Sequence, residues 1–226
     1  IVEGQPELSR TAIENCVLSS EASYWWRGHD GSGWTCSAAA NAMMNDCGIW
    51  LRQDYPELGL DLTEYSGDTA QKFGSRKPPD KIREFGRQHL VRTATNLKSR
   101  EEIRDFLFAG FGVFFCSGLK WDNKRDENGV SRVVPGSWAH SQALCGYDDR
   151  PEIIRIYGEP LALVINSWSG GWITGSRKVY GTDLVIPEGC YWTPVSAMDR
   201  CSCIALSSVA GWPARKLKTY GAGGNV

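Results

Sequence analysis

The two halves of this chain are written in different patterns, and their order limits the fold more than any single residue does. Up to about residue 110, apolar positions recur at helical spacing between capping signals. "SREEIRDFLFAG" is the clearest case: Ser99 stands as N-cap, Glu102 completes a capping box, Ile103, Phe106 and Leu107 share a face, and Gly110 stops the helix. Residues 35–47 predict a second helix with Gly48 just past its end, where a left-handed cap is wanted. "PPDKIREFGRQHL" predicts a third. From about residue 111 the texture changes to short apolar runs bounded by Gly, Pro, Asp or Ser: "GVFFCSG", "SQALCGYDD", "LALVINSW" and "DLVIPEG". Such runs predict strands. Helices first and strands second predict an α+β protein of two lobes. The division expected is 1–110 mainly helical, 111–220 mainly β, and 221–226 a flexible tail.

Charge and cysteine usage narrow the function. Lys and Arg number 25 against 26 Asp and Glu, for a net charge of −1. The basic residues are scattered, so no field points to nucleic acid or to an anionic membrane. Apolar stretches such as "LALVIN" are far too short to span a bilayer. The chain opens Ile1-Val2 with neither methionine nor a signal-peptide pattern, which leaves a removed leader or propeptide open. The eight cysteines (16, 36, 47, 116, 145, 190, 201 and 203) form no Cys-x-x-Cys pair, and Cys201-x-Cys203 lacks zinc spacing. No metal or other cofactor is therefore expected. With Cys36 reserved for chemistry seven cysteines remain, an odd number, so free buried thiols in a reducing compartment such as bacterial or host cytoplasm are the expectation. "DNKRDENG" imitates a calcium loop, but Lys124 takes the first ligand position and Pro135 the twelfth, so it reads as a polar turn.

Three blocks carry chemistry. In "GSGWTCSAAANAMM" a glycine-rich turn delivers Cys36 to the first turn of a helix, where unpaired N–H groups and partial positive charge stabilise a thiolate. Of the three histidines, His29 follows a glycine, His89 lies in the charged helix and reads as surface, and His140 opens the strand "HSQALCGY". A strand-anchored imidazole has the rigid placement a general base needs. In "LVINSWSGGW", Asn166 ends a strand and is positioned to orient an imidazole through its side-chain carbonyl, with the Trp168 indole keeping water off that bond. Cys, His and Asn in this chain order form a triad arrangement known for thiol proteases.

These blocks resemble the papain-like cysteine peptidases. "NSWSGGW" is similar to that family's Asn-Ser-Trp-Gly motif, with a second tryptophan six residues after the asparagine, and "HSQALCGY" is similar to its histidine strand. "RDENGV", "GSWAH" and "IPEGCYW" resemble a little-characterised branch found in bacteriophages and some bacteria. The resemblance, over about residues 24–213, implies one catalytic unit of two lobes meeting at a cleft, a helical lobe with a central cysteine helix and a second lobe built as an antiparallel sheet or barrel. It implies Cys36 as nucleophile, His140 as base, Asn166 as orienter and Trp168 as support, acting on polypeptide through a thioester. Two alternatives accompany it: a peptidoglycan peptidase or amidase, and a catalytically impaired structural or binding component with virion or other assembly partners. The local signature departs from the family's: Gly33-Trp34-Thr35-Cys36-Ser37 lacks the preceding cysteine. Six residues before the nucleophile the family carries an oxyanion-binding glutamine, and this chain has Asp30. An ionised carboxylate there opposes the developing oxyanion, whereas a carboxyl buried near Trp34 and protonated donates to it. On the first case, Asp30→Gln is expected to raise the acylation rate about tenfold or more. Acylation rates of both proteins from about pH 5 to 8 check this, and a slower variant throughout contradicts it.

Overall fold

The computed structural model describes residues 18–31, 33–168 and 170–207. They fall into two compact units, one of residues 18–31, 33–34 and Ala38–Thr93, the other of Thr35–Ser37 with Ala94–Ser207. The helices are α1 (Cys36–Asn45), α2 (Gly67–Gly74), α3 (Asp80–Gln88), α4 (Arg100–Phe108) and α5 (Pro151–Tyr157).

The first unit is built on aromatic packing. Ala22, Trp25, Trp50, Tyr55, Leu60, Leu62 and Ile82 form its buried core. Ser66 caps α2 by accepting from the Thr69 N–H at 3.2 Å, and α2 then lays Phe73 against Trp25 with ring centroids 3.6 Å apart. Gly48, past the end of α1, has φ +57°, and a Cβ there would meet the Gly86 carbonyl oxygen at 2.3 Å. Only glycine takes this turn without strain. His89, expected at the surface, is buried: its ring packs against Phe85 and its carbonyl accepts from the Ile49 N–H at 2.9 Å. The polar flank of the helix ends one residue earlier, so the charged pattern did not extend to it.

Glu21 is a fully buried carboxylate in this unit. Burial by itself would raise its pKa, but donors from Arg52 (3.0 and 3.1 Å), Ser19 (2.8 Å) and the Ser66 backbone (3.0 Å) outweigh it and hold the carboxyl below the usual range. Glu21→Gln leaves the Arg52 cation without its counter-charge and is expected to cost about 3 kcal/mol, measured by urea unfolding. The folded pKa is depressed, so the contribution is present above the unfolded value of about 4.3 and is lost as pH falls below it.

The second unit is a six-stranded antiparallel sheet. Its strands are β1 (Ala94–Leu97), β2 (Val113–Trp121), β3 (Val133–Asp148), β4 (Leu161–Ile165), β5 (Tyr191–Pro194) and β6 (Ser202–Leu206). The spatial order is β5-β4-β3-β2-β6-β1. The sheet is open, which corrects the barrel half of the expectation: the end strands β5 and β1 each have one sheet neighbour. Val113, Phe115, Leu119 and Trp121 of β2 all point into the core in unbroken two-residue alternation, and the extra residues of the irregularity between Ser117 and Lys120 lie on the paired strand β3. Helix α4 covers the core with Ile103, Phe106 and Leu107. Its Ser99 cap accepts from the Glu102 N–H at 3.1 Å, while the Glu102 carboxylate reaches one residue further back, to the Lys98 N–H at 2.6 Å.

"DLVIPEG" is not a strand. It makes a single bridge, Lys178 with Val185, and leaves Leu184 and Val185 exposed while Ile186 packs with Val130, Ile153 and Trp192. The would-be calcium loop is a turn closed by Asp126, which accepts from the Asn128 and Val130 N–H groups at 2.9 Å each. No helix among the described residues is long and apolar enough to cross a membrane, and no cluster of metal-ligating side chains occurs among them.

Candidate active site

The sheet brings His140 and Asn166 to one end of the second unit. Strands β3 and β4 are antiparallel with Ala143 opposite Ile165, so His140 on one and Asn166, just past the other, emerge together. Asn166 Oδ1 lies 2.8 Å from His140 Nε2 and also accepts from the Trp168 backbone N–H at 3.4 Å. A backbone N–H can only donate, so the shared acceptor fixes which end of the amide is oxygen, and Nε2 must carry a proton. In the neutral ring Nδ1 then holds a free lone pair, as a general base requires.

Aromatic packing fixes the ring plane. Trp168 stacks on the imidazole at 4.6 Å and 26°. Trp138 and Trp172 meet Trp168 edge-on at 4.9 and 5.4 Å. The Trp172 indole donates to the Gly189 carbonyl at 2.9 Å and its ring stands against buried Tyr191, whose hydroxyl donates to Gln142 Oε1 at 2.6 Å. The imidazole is thus tied through four aromatic rings to the core of the sheet. Trp168 itself is 40% exposed, so one side of this shield faces solvent. Asn166 is 7% exposed, and its Nδ2 finds no partner among the described residues.

Cys36 is the first residue of α1 and clusters with the second unit. It is not free, which corrects the expectation of an unbonded thiol: it is 4% exposed and disulfide-bonded to Cys116, with the Cα atoms 5.9 Å apart. That separation lies in the middle of the range a disulfide accepts. The Ser141 hydroxyl lies 3.9 Å from the Cys36 sulfur. Cys116 pairs with Ser141 and Ser117 with His140 across β2 and β3. Side chains alternate along a strand, so Cys116 and Ser141 share one face and His140 takes the other. The imidazole is not among the hydrogen-bond partners of the bonded sulfur. His140, Asn166 and Trp168 are therefore assembled, while Cys36 is held against the neighbouring face by a residue that sequence reasoning passed over. The only signal for Cys116 was its position in "GVFFCSG", out of phase with the buried Val113 and Phe115.

Asp30 lies in the first unit, exposed in the turn that follows Arg27, so burial beside apolar neighbours does not occur. His29 is exposed and His89 buried, both in the first unit.

No protein-family model matches the chain, and no curated protein matches it. Solved structures do. The fold is similar to that of xylellain, a cysteine protease from Xylella fastidiosa, with TM-score 0.54 and 14% identity over 84% of this chain and 70% of that one. Procathepsin L 3 from the larval midgut of Tenebrio molitor matches with TM-score 0.42 and 13% identity, over 84% of this chain and 55% of that one. The chain has a papain-like cysteine protease fold, with mixed helix and sheet and no closed barrel.

Proposed function

We propose that this protein is a cysteine peptidase that hydrolyses internal bonds of polypeptides through Cys36, His140 and Asn166. The observation that carries the reading is the Asn166 carbonyl oxygen shared by His140 Nε2 and the Trp168 N–H, which sets the imidazole as a base under a stacked indole. The fold likeness to a cysteine protease and the placement of Cys36 at a helix N-terminus support it. In the reduced protein the Cys36 thiol passes its proton to His140 Nδ1, and the resulting thiolate attacks the scissile carbonyl and forms a thioester as the C–N bond breaks. His140 gives its Nδ1 proton to the leaving amine, then takes a proton from the water that hydrolyses the thioester. Asn166 holds the ring through both steps.

The test is incubation of the reduced protein with an unfolded polypeptide, reading new internal termini by mass spectrometry. Their appearance supports the reading, and their absence from a folded, reduced protein contradicts it. The second reading, a non-catalytic papain-fold component, is favoured by the bonded state of Cys36 and by Asp30 at the glutamine position. It predicts no cleavage under any redox condition.

A further inference from the structure

The described cysteines are of two kinds. Cys47, Cys190, Cys201 and Cys203 are free, and burial raises the pKa of each, to about 12 for Cys47 and Cys203 and about 11 for Cys201. They stay protonated near neutral pH and exchange slowly. Cys145 is free as well, with its sulfur 3.7 Å from the Leu163 carbonyl. Cys36 and Cys116 are the bonded pair among the described residues. With three buried apolar clusters and five unpaired cysteines among the described residues, the fold does not depend on a disulfide framework. This bond instead takes up Cys36, the cysteine at the N-terminus of α1.

We infer that the Cys36–Cys116 disulfide is a reversible switch, which disables the site when oxidised and releases the nucleophile when a dithiol reduces it. The inference rests on the reading of Cys36 as nucleophile.

The geometry sets the direction of the exchange. Cys36 is 4% exposed and Cys116 is half-buried, so an incoming thiolate meets the Cys116 sulfur first. The new S–S bond forms there and the Cys36–Cys116 bond breaks. Cys36 departs with the electron pair as a thiolate, stabilised by the N–H groups of α1, and a stabilised thiolate is the faster leaving group. The second thiol of the reductant, deprotonated, then attacks its own sulfur in the mixed disulfide. Cys116 is released and takes up one proton, and the other goes to solvent. The dithiol has lost two electrons and become a disulfide, and the protein has gained them. The partner strand is well fixed for the reverse reaction, because Cys116 sits between Ser141 on β3 and Ser202 on β6. Oxidation holds the Cys36 sulfur beside Ser141; reduction frees it from that face.

The test uses the full chain, equilibrated with oxidised glutathione or with dithiothreitol, then alkylated with iodoacetamide and digested. The oxidised wild type is expected to give a linked Cys36–Cys116 peptide and no alkylated Cys36. Dithiothreitol should convert it to alkylated Cys36, and re-oxidation should restore the link. Cys116→Ser should leave Cys36 alkylated with or without dithiothreitol, and Cys36→Ser should do the same for Cys116, each with an unchanged far-UV spectrum. Absence of the linked peptide, or a Cys116→Ser protein whose Cys36 still needs dithiothreitol, overturns the switch. Peptide hydrolysis measured on the same samples reports on the reading beneath it. If Cys36 is gated as described and the reduced protein cleaves nothing, the peptidase reading fails while the reversible disulfide stands.

Discussion

Cys36→Ala is expected to lower peptide hydrolysis by the reduced protein by about 10⁵-fold or more, because the thioester route disappears with the sulfur. Stability should respond differently in the two redox states. The disulfide spans a sequence separation of 80 residues. Against the oxidised wild type, the variant loses a cross-link worth about 4.5 kcal/mol in the chain-entropy account. Against the reduced wild type it loses one small buried group, worth about 1 kcal/mol. Urea unfolding of both proteins, with and without dithiothreitol, separates these terms. A deficit of several kcal/mol against the reduced wild type would assign the sulfur to packing rather than chemistry. The sequence alone led to a simpler expectation, an exposed thiol whose loss leaves stability untouched, and the buried bond to Cys116 replaces it.

His140→Ala is expected to lower kcat/KM by about 10³- to 10⁴-fold, the range of a positioned acid–base group. Asn166→Ala should cost less. Its carbonyl accepts from Nε2, a hydrogen bond worth about 1.5–3 kcal/mol once the ring is an imidazolium, and that corresponds to a loss of about 10- to 100-fold. Trp168 would still stack on the ring and hold its plane. Rates of both variants on one peptide substrate decide the matter. If Asn166→Ala is as damaging as His140→Ala, the asparagine does more than orient.

What the sequence made legible has a common physical cause, which is short range. Helix α4 was readable because Ser99 and Glu102 satisfy the same few backbone groups in any setting. The His140 and Asn166 strands were readable because each is a short apolar run closed by turn residues, and two antiparallel neighbours bring such ends together. Trp168 followed, since it lies two residues from Asn166 and its own N–H reaches the amide. The features that escaped depend on distant partners. "DLVIPEG" has a strand-like composition, but its bulk went to a side cluster with Val130 and Ile153. His89 was drawn inward by Phe85. Whether the sheet curls shut depends on its end strands, which no local pattern reports. The Cys116 bond required the start of α1 and the middle of β2 to meet, and neither segment encodes the other.

The central claim is that Cys36 becomes an activated nucleophile once reduced. An epoxysuccinyl thiol-protease inhibitor tests it most directly, because that electrophile needs a thiolate held beside an imidazolium and reacts slowly with ordinary thiols. The dithiothreitol-treated protein should gain one inhibitor mass, mapped to Cys36, while the oxidised protein, Cys36→Ala and His140→Ala gain none. A reduced, folded wild type that leaves Cys36 unmodified would contradict the account.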